Sequence, residues 1–298
     1  MGEHYVPAAI DRWLAAKAAA YLSPLTLRFY RTQIRAFGAY CHDRRQPLAG
    51  LRMALVIDHM GRRRAEGRSP QSIRSEFAAI HAFLGWCIAQ GLLDGSALEG
   101  LPWPKLPRLL IEPFRQSDVL ALLAAAEGTT QPERDSAIIL LMADTGIRAS
   151  ELCGIRDGDL QRERARIRIQ GKGARQRWVP LSAAAMAAID RWLAVRRAGA
   201  VRLFVSCHGW PLDRQSLYNL YRRLGRAAGI HEVRCSPHTM RHTMATEWIA
   251  AGGDLLTLQR LGGWSGIDMV RRYVGVTDAH VASAHHRHSL ATQLLRTA

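Results

Sequence analysis

Four prolines, Pro102, Pro104, Pro107 and Pro113, fall within twelve residues about a third of the way along the chain, with no helical period between them. Each fixes φ and lacks an amide hydrogen, so neither a helix nor an interior strand can run through them. Proline at this density makes an extended, semi-rigid connector. The 298 residues therefore divide into two folding units, each long enough to bury its own core. The expected division is a domain over 1–97, a linker over 98–116 and a second domain over 117–298.

The first domain reads as helices alone. Ser23-Pro24 and Ser69-Pro70 are helix starts, a capping hydroxyl followed by proline at the first helical position. Apolar residues then recur at steps of three and four: Leu27, Tyr30, Ile34, Phe37 and Cys41 in one helix, Ile73, Phe77, Ile80, Leu84 and Cys87 in the other. With shorter helices over about 7–20 and 52–66, four amphipathic stripes make a small bundle. Between two of them lies the basic run Arg62, Arg63, Arg64 and Arg68. Such runs are often solvated loops; beside a helix N-terminus, this one is expected to meet phosphate.

The second domain is mixed. Arg166-Ile-Arg-Ile-Gln170 alternates with period two, and Gly171-Lys-Gly173 supplies a turn before Arg177-Trp-Val-Pro-Leu181. This is a β-hairpin. Helices are expected at about 183–197, 213–228, 237–251, 254–261, 266–274 and 278–295. The fold class is mainly α with a small antiparallel β-sheet.

Charge narrows the partner. The chain holds 41 Lys+Arg against 25 Asp+Glu, a net charge of +16, and the excess is spread over both halves. Each cation that neutralises a phosphate releases a condensed counterion, so such a surface favours nucleic acid, and two basic domains suggest a clamp around a duplex. No basic helix carries an apolar face free for a membrane. The longest apolar run, Ala137 to Ala143, is far too short to span one. Five cysteines without a CxxC pair read as reduced thiols. With no signal-like start, the expected location is cytoplasmic and nucleoid-associated.

The chemistry lies in five short segments of the second half: Thr145-Gly-Ile-Arg-Ala-Ser-Glu151, Gly171-Lys-Gly173, His238-Thr-Met-Arg-His242, Leu261-Gly-Gly-Trp264 and Arg271-Arg-Tyr273. Arg148 and Arg241 suit a phosphoryl transition state, because guanidinium fits its oxygens bidentately and stays charged. Glu151, one turn after Arg148, can orient it. Only three lysines occur, Lys17, Lys105 and Lys172. Keeping lysine at the hairpin turn fits a general acid, since arginine holds its proton too tightly to donate it. His238 suits a base for a phenol or a donor to phosphate, and His242 beside it an accessory position. Trp264 offers one N–H and no proton exchange. Tyr273 supplies a nucleophile whose covalent link stores the bond energy for religation. No Walker loop, HExxH motif or acidic pair is present, so neither cofactor nor metal is expected. His280, His285, His286 and His288 fit no standard ligand spacing.

Taken together these segments resemble the tyrosine recombinases, the integrase family of site-specific recombinases. The resemblance implies a four-helix, SAM-like core-binding domain followed by an α+β catalytic domain. It implies cleavage and rejoining of duplex DNA through a 3′-phosphotyrosine, without metal or ATP. Its residue set maps onto Arg148, Lys172, His238, Arg241, Trp264 and Tyr273. Trp264 stands where many members have histidine, and Tyr273 lies nine residues beyond it, the family spacing. The implied partners are double-stranded DNA with an inverted-repeat core site and three further copies of the chain, a homotetramer at synapsis. The 278–295 helix is expected to pack either in its own chain or on a neighbouring protomer. Two rivals remain: a catalytically silent DNA-binding regulator of the same fold, and a type IB topoisomerase-like enzyme.

Overall fold

The structure, a computed structural model, describes residues 5–95, 103–104, 106, 112–171, 176–271, 273 and 285. The chain forms two compact units, Met1–Leu109 and Leu110–Ala298.

In the first unit α1 (Val6–Ala19), α2 (Pro24–Asp43), α3 (Met53–Ala65) and α4 (Pro70–Ala89) pack as a bundle. Ser23 and Ser69 cap α2 and α4, each hydroxyl accepting the N–H three residues on at 3.2 Å. This satisfies a donor that the first helical turn leaves open. The expected stripes face inward: Ile34, Phe37 and Cys41 of α2 and Phe77, Ile80, Leu84 and Cys87 of α4 are buried. Trp13 of α1 meets Tyr30 and Phe83 edge-on, with ring centroids 5.0 and 5.7 Å apart. The start of the connector lies along α4: Trp103 packs edge-on against Phe77 at 5.0 Å, and Arg74 Nη1 donates to the Pro104 carbonyl at 2.9 Å. Pro102 and Pro107 lie outside the described residues.

The basic run does not behave as four equivalent arginines. Arg63 turns inward and donates from Nε to both oxygens of Glu76, at 3.1 and 2.9 Å, while His59 Nε2 sits 3.6 Å from the same carboxylate. Its guanidinium is thus committed within the bundle, because buried Glu76 requires a cationic partner. Arg62 pairs with Glu66 at 3.0 Å, and Arg64 and Arg68 are exposed. Burial resists ionisation of Glu76, but His59 and the Arg63 fork outweigh it and lower the carboxyl to about 2. A carboxyl depressed when folded contributes stability above its unfolded value and loses it as pH falls through the folded one. Glu76→Leu is expected to cost roughly 2 kcal/mol near neutral pH, because the largely buried Arg63 loses its fork and keeps only its pairing with Glu66. In urea titrations the difference from the parent should shrink as pH approaches 2; an equal difference at all pH values would refute this assignment.

The second unit contains α5 (Gln116–Glu127), α6 (Pro132–Thr145), α7 (Ala149–Gly154), β1 (Leu160–Gln161), β2 (Arg166–Gln170), β3 (Gln176–Pro180), α8 (Ala183–Val195), α9 (Arg214–Ala227), α10 (Pro237–Ala250), α11 (Leu255–Gly262) and α12 (Asp268–Arg271). The three strands form an antiparallel sheet in the order β1-β2-β3. Ile167 opposes Val179, and Ile169 opposes Arg177. Ile167, Ile169 and Val179 enter a core shared with Ile138, Leu141, Met142, Trp192, Phe204 and Tyr221. A smaller cluster of Met244, Ala245, Leu258, Trp264, Val270 and Tyr273 joins α10, α11 and α12.

Two elements go beyond the expectations from sequence. The six residues of α7 are too few for an apolar period, and the two-residue β1 is defined by its pairing with β2. The expected helix over 266–274 shortens to α12, after which the Tyr273 N–H donates to the Val270 carbonyl at 2.9 Å, closing a turn. The turn residue Lys172, the helix expected at 278–295, and His280, His286 and His288 lie outside the described residues. No helix among the described residues is long and apolar enough to cross a membrane.

Candidate active site

Helix α6 closes on Gly146 in left-handed conformation, φ 57°, and buried Ile147 leads into Arg148, the N-cap of α7. Three residues on, Glu151 reaches back. Its Oε2 accepts the Arg148 backbone N–H at 2.9 Å, and its Oε1 accepts Arg148 Nη1 at 2.9 Å. The carboxylate is buried, its side chain only 4% exposed, whereas the Arg148 side chain is 38% exposed. Arg148 is therefore held at its inner edge and open at its outer one.

Ser236 caps α10 and Pro237 opens it, which places His238 exposed in the first turn and Arg241 buried one turn later. Arg241 donates to the carbonyls of Gly146 and Gly262, the latter at 2.9 Å, and its guanidinium lies 3.8 Å from the centre of the Trp264 ring. Arginine stacks on indole through the negative ring face, while its N–H groups remain free to bond in the guanidinium plane. Burial and the Arg148 charge lower its pKa to about 9, so the group is a cation at neutral pH. An arriving phosphate would favour the charged form.

Arg148 also donates to Gly263 O at 2.8 Å and makes a long contact with Gly262 O at 3.5 Å. Both catalytic-type arginines thus meet at the carbonyl end of α11, where the helix dipole is negative. Two glycines permit this approach. A Cβ on Gly262 would stand 1.8 Å from the Trp264 ring. Gly263, at φ 65°, adopts the left-handed conformation that ends α11 and turns the chain toward Trp264.

Tyr273 closes the cluster. Its ring lies edge-on to Trp264 at 5.7 Å and to His242 at 4.8 Å, and it is 7% exposed. His242 Nδ1 is 3.3 Å from the Thr246 hydroxyl. The structure therefore brings together Arg148, Glu151, Arg241, His242, Trp264 and Tyr273, with His238 on the same helix at the exposed end. Arg271 pairs with Asp268 in solvent at 3.1 Å, and Arg272 lies outside the described residues.

Sequence reasoning missed two features. Arg177 of β3 forks both oxygens of Glu151 at 3.0 and 2.9 Å. The signal was available: strand alternation puts Arg177 on the face of buried Val179, where a charge needs a partner. The second is the outer face of α9, the helix expected at about 213–228: Leu217, Leu220, Tyr221 and Leu224 are buried while Gln215, Asn219, Arg222 and Arg226 form one exposed row. Gln215 Nε2 donates to Asn219 Oδ1 at 3.2 Å. The spacing of four, three and four was legible as a helical face.

Comparison with known proteins follows the same division. Residues 112–280 match the phage integrase family, and residues 10–91 match the phage integrase N-terminal SAM-like domain. A tyrosine recombinase XerC of Corynebacterium efficiens is 32% identical over 267 residues, covering 88% of this chain and 84% of the relative. A tyrosine recombinase XerD of Xanthomonas axonopodis pv. citri is 30% identical over 292 residues, covering 94% and 95%. Among solved structures, a Tn1549 transposon integrase in complex with transposon right end DNA superposes with a TM-score of 0.79 at 20% identity, covering 95% of this chain and 99% of that one. A lambda integrase tetramer bound to a Holliday junction gives 0.75 at 18% identity, covering 90% and 77%. At these identities the structures show the shared fold.

Proposed function

The chain belongs to the phage integrase family as a tyrosine-type site-specific recombinase acting on DNA, and from that membership we propose the following assignment of its chemistry. Tyr273 is the nucleophile. Its Oη attacks the scissile phosphorus, forming a 3′-phosphotyrosine, and the bond to the 5′-oxygen breaks. His238 takes the phenolic proton, and Lys172 supplies one to the departing 5′-oxygen, leaving a free hydroxyl. Attack by a 5′-hydroxyl from another strand reverses these steps and rejoins the backbone, so no nucleotide is consumed.

Arg148 and Arg241 hold the non-bridging oxygens, where negative charge spreads in the transition state. Glu151 orients Arg148. Trp264 seats Arg241 and offers its indole N–H, and His242 supports the tyrosine ring. The observation that carries this reading is the seating of Tyr273 against the indole on which buried Arg241 is stacked. An arginine of α10, a tryptophan just after α11 and a tyrosine just after α12 meet at one point lined with cationic donors.

For the duplex, Arg62, Arg64 and Arg68 supply phosphate contacts from the first unit. Arg63, the fourth member of that run, acts indirectly by holding Glu76. The amide and guanidinium row of α9 suits base edges in a major groove, since amides pair with adenine and guanidinium with guanine. The core site is an inverted repeat bound by copies of this chain, with a homotetramer at synapsis. The lambda integrase tetramer on a Holliday junction supports that assembly.

A nicked suicide duplex carrying DNA from beside the protein's own gene tests the whole proposal. One covalent adduct at a single position is the expected result. Scattered adducts would point to relaxation without site choice, and none on the true site would leave a binding protein. Lys172→Ala is expected to slow cleavage of ordinary DNA by about 10²–10⁴-fold. It should regain most of that rate on a 5′-bridging phosphorothiolate, whose sulfur departs without a proton. Equal slowing on both substrates would make Lys172 a simple counter-charge.

A further inference from the structure

Arg177 is a heavily engaged cation beside the candidate active site, with four side-chain hydrogen bonds. It lies on β3, directly across from Ile169 on β2, with its side chain 17% exposed. Nη1 and Nη2 fork Glu151 at 3.0 and 2.9 Å, Nε donates to Leu261 O at 3.0 Å, and Nη2 makes a longer contact with Gly262 O at 3.4 Å. A Cβ on Gly263 would stand 2.7 Å from the Arg177 guanidinium carbon, so the chain end of α11 is closed tightly over this group. Little donor capacity is left for a substrate.

The consequence falls on Arg148. Glu151 has two oxygens, and Arg148 has a planar fork that would take both. Arg177 occupies both oxygens from the other side. Arg148 Nη1 is left to share one of them, and Nη2 turns to Gly263 O. Without Arg177, one buried carboxylate would face one neighbouring guanidinium, and the lowest-energy arrangement is the two-bond pair that draws Arg148 inward. The Leu261 carbonyl would also lose its donor, and Gly262 O one of its longer contacts, while Arg241 stays on Gly262 O.

We propose that Arg177 is a positioning residue for DNA cleavage: by forking Glu151 and gripping the end of α11, it keeps Arg148 from closing both its terminal nitrogens onto Glu151, leaves that side chain partly exposed, and holds Trp264 in register. The proposal rests on the assignment of Arg148 as a phosphate-holding group. Arg177 touches no substrate atom, and its effect passes through Arg148 and α11.

The test compares Arg177→Gln with Arg148→Ala in the full-length protein. Arg177→Lys replaces the glutamine variant should that one lose its helical circular dichroism. Single-turnover adduct formation is measured on two suicide duplexes, one with the normal scissile phosphate and one with a methylphosphonate there, which lacks the negative charge that Arg148 meets. Binding is followed separately by anisotropy. Arg177→Gln is expected to leave DNA affinity within about twofold, since it contacts no phosphate. It should slow cleavage of normal DNA by about 10²-fold, the cost of misplacing a catalytic group by roughly an ångström. On the methylphosphonate both variants should lose most of their deficit. An unchanged rate on normal DNA, or an equal deficit on both duplexes, would overturn the role of Arg177, because general loosening slows both alike. A parental rate for Arg148→Ala would instead sink the assignment on which the proposal stands.

Discussion

Tyr273→Phe is expected to abolish the covalent adduct while leaving DNA binding intact. The substitution removes one oxygen and keeps the ring, which packs edge-on against Trp264 and His242. The fold should therefore change by no more than about 1 kcal/mol, since a conservative removal of one atom leaves the packing in place. On the neighbouring helix α12, Arg271 is a cation paired with Asp268 and offers no replacement nucleophile. Labelled duplex should shift with the variant in a native gel but run free of it after denaturation. Retention of label on the denatured variant would move the nucleophile to another of the seven tyrosines.

Arg241→Ala is expected to have the next largest effect, and through two routes. The first is chemical: loss of one preorganised donor from a phosphoryl site costs about 10²–10³-fold in rate, and Arg241 presents a charge as well. The second is architectural. Arg241 is 4% exposed, bonds the carbonyls of Gly146 and Gly262, and stacks at 3.8 Å on Trp264. Its removal takes the donor from Gly146 O, leaves Gly262 O with only the longer contacts of Arg148 and Arg177, and opens a cavity under the indole, for a combined cost of about 2–4 kcal/mol. Cleavage should fall by at least about 10³-fold in single-turnover assays, as both routes act on the same step. Arg241→Lys should recover little, because an ammonium cannot stack as a plane on the indole or present a rigid, planar fork to the phosphate. A lysine variant within tenfold of the parent would show that charge alone suffices at this position.

Much of the fold is legible in the order of the amino acids alone. The helices of the first unit follow from Ser-Pro starts and apolar steps, signals that are local and strong. The hairpin follows from alternation around Gly171. The site residues Arg148, Arg241, Trp264 and Tyr273 can be named from their segments, because each sits at a chain feature with its own sequence mark: a cap, a Ser-Pro start, a Gly-Gly helix end. What the order of residues does not reveal is which charges face inward. Arg62, Arg63, Arg64 and Arg68 look alike in sequence, yet Arg63 is taken by Glu76, thirteen residues away. Arg177 looks like any surface arginine of a basic chain until Glu151, 26 residues earlier, is placed beside it. Such pairings depend on which side chains tertiary packing brings opposite each other, and no local period encodes them. Short elements escape for a related reason: α7 and β1 exist because neighbours complete them.

The arginines around the end of α11 are drawn from distant parts of the chain. Gly262 O and Gly263 O receive Arg148 across 114 and 115 positions, Gly262 O receives Arg241 across 21, and Leu261 O receives Arg177 across 84. Contacts of such separation form late, after loops have paid their closure entropy. On the proposed assignment, a partly unfolded copy consequently carries the tyrosine without the gathered cations, and a nascent chain carries the arginines before Tyr273 has been added. On that assignment, scission competence arrives only with the finished fold.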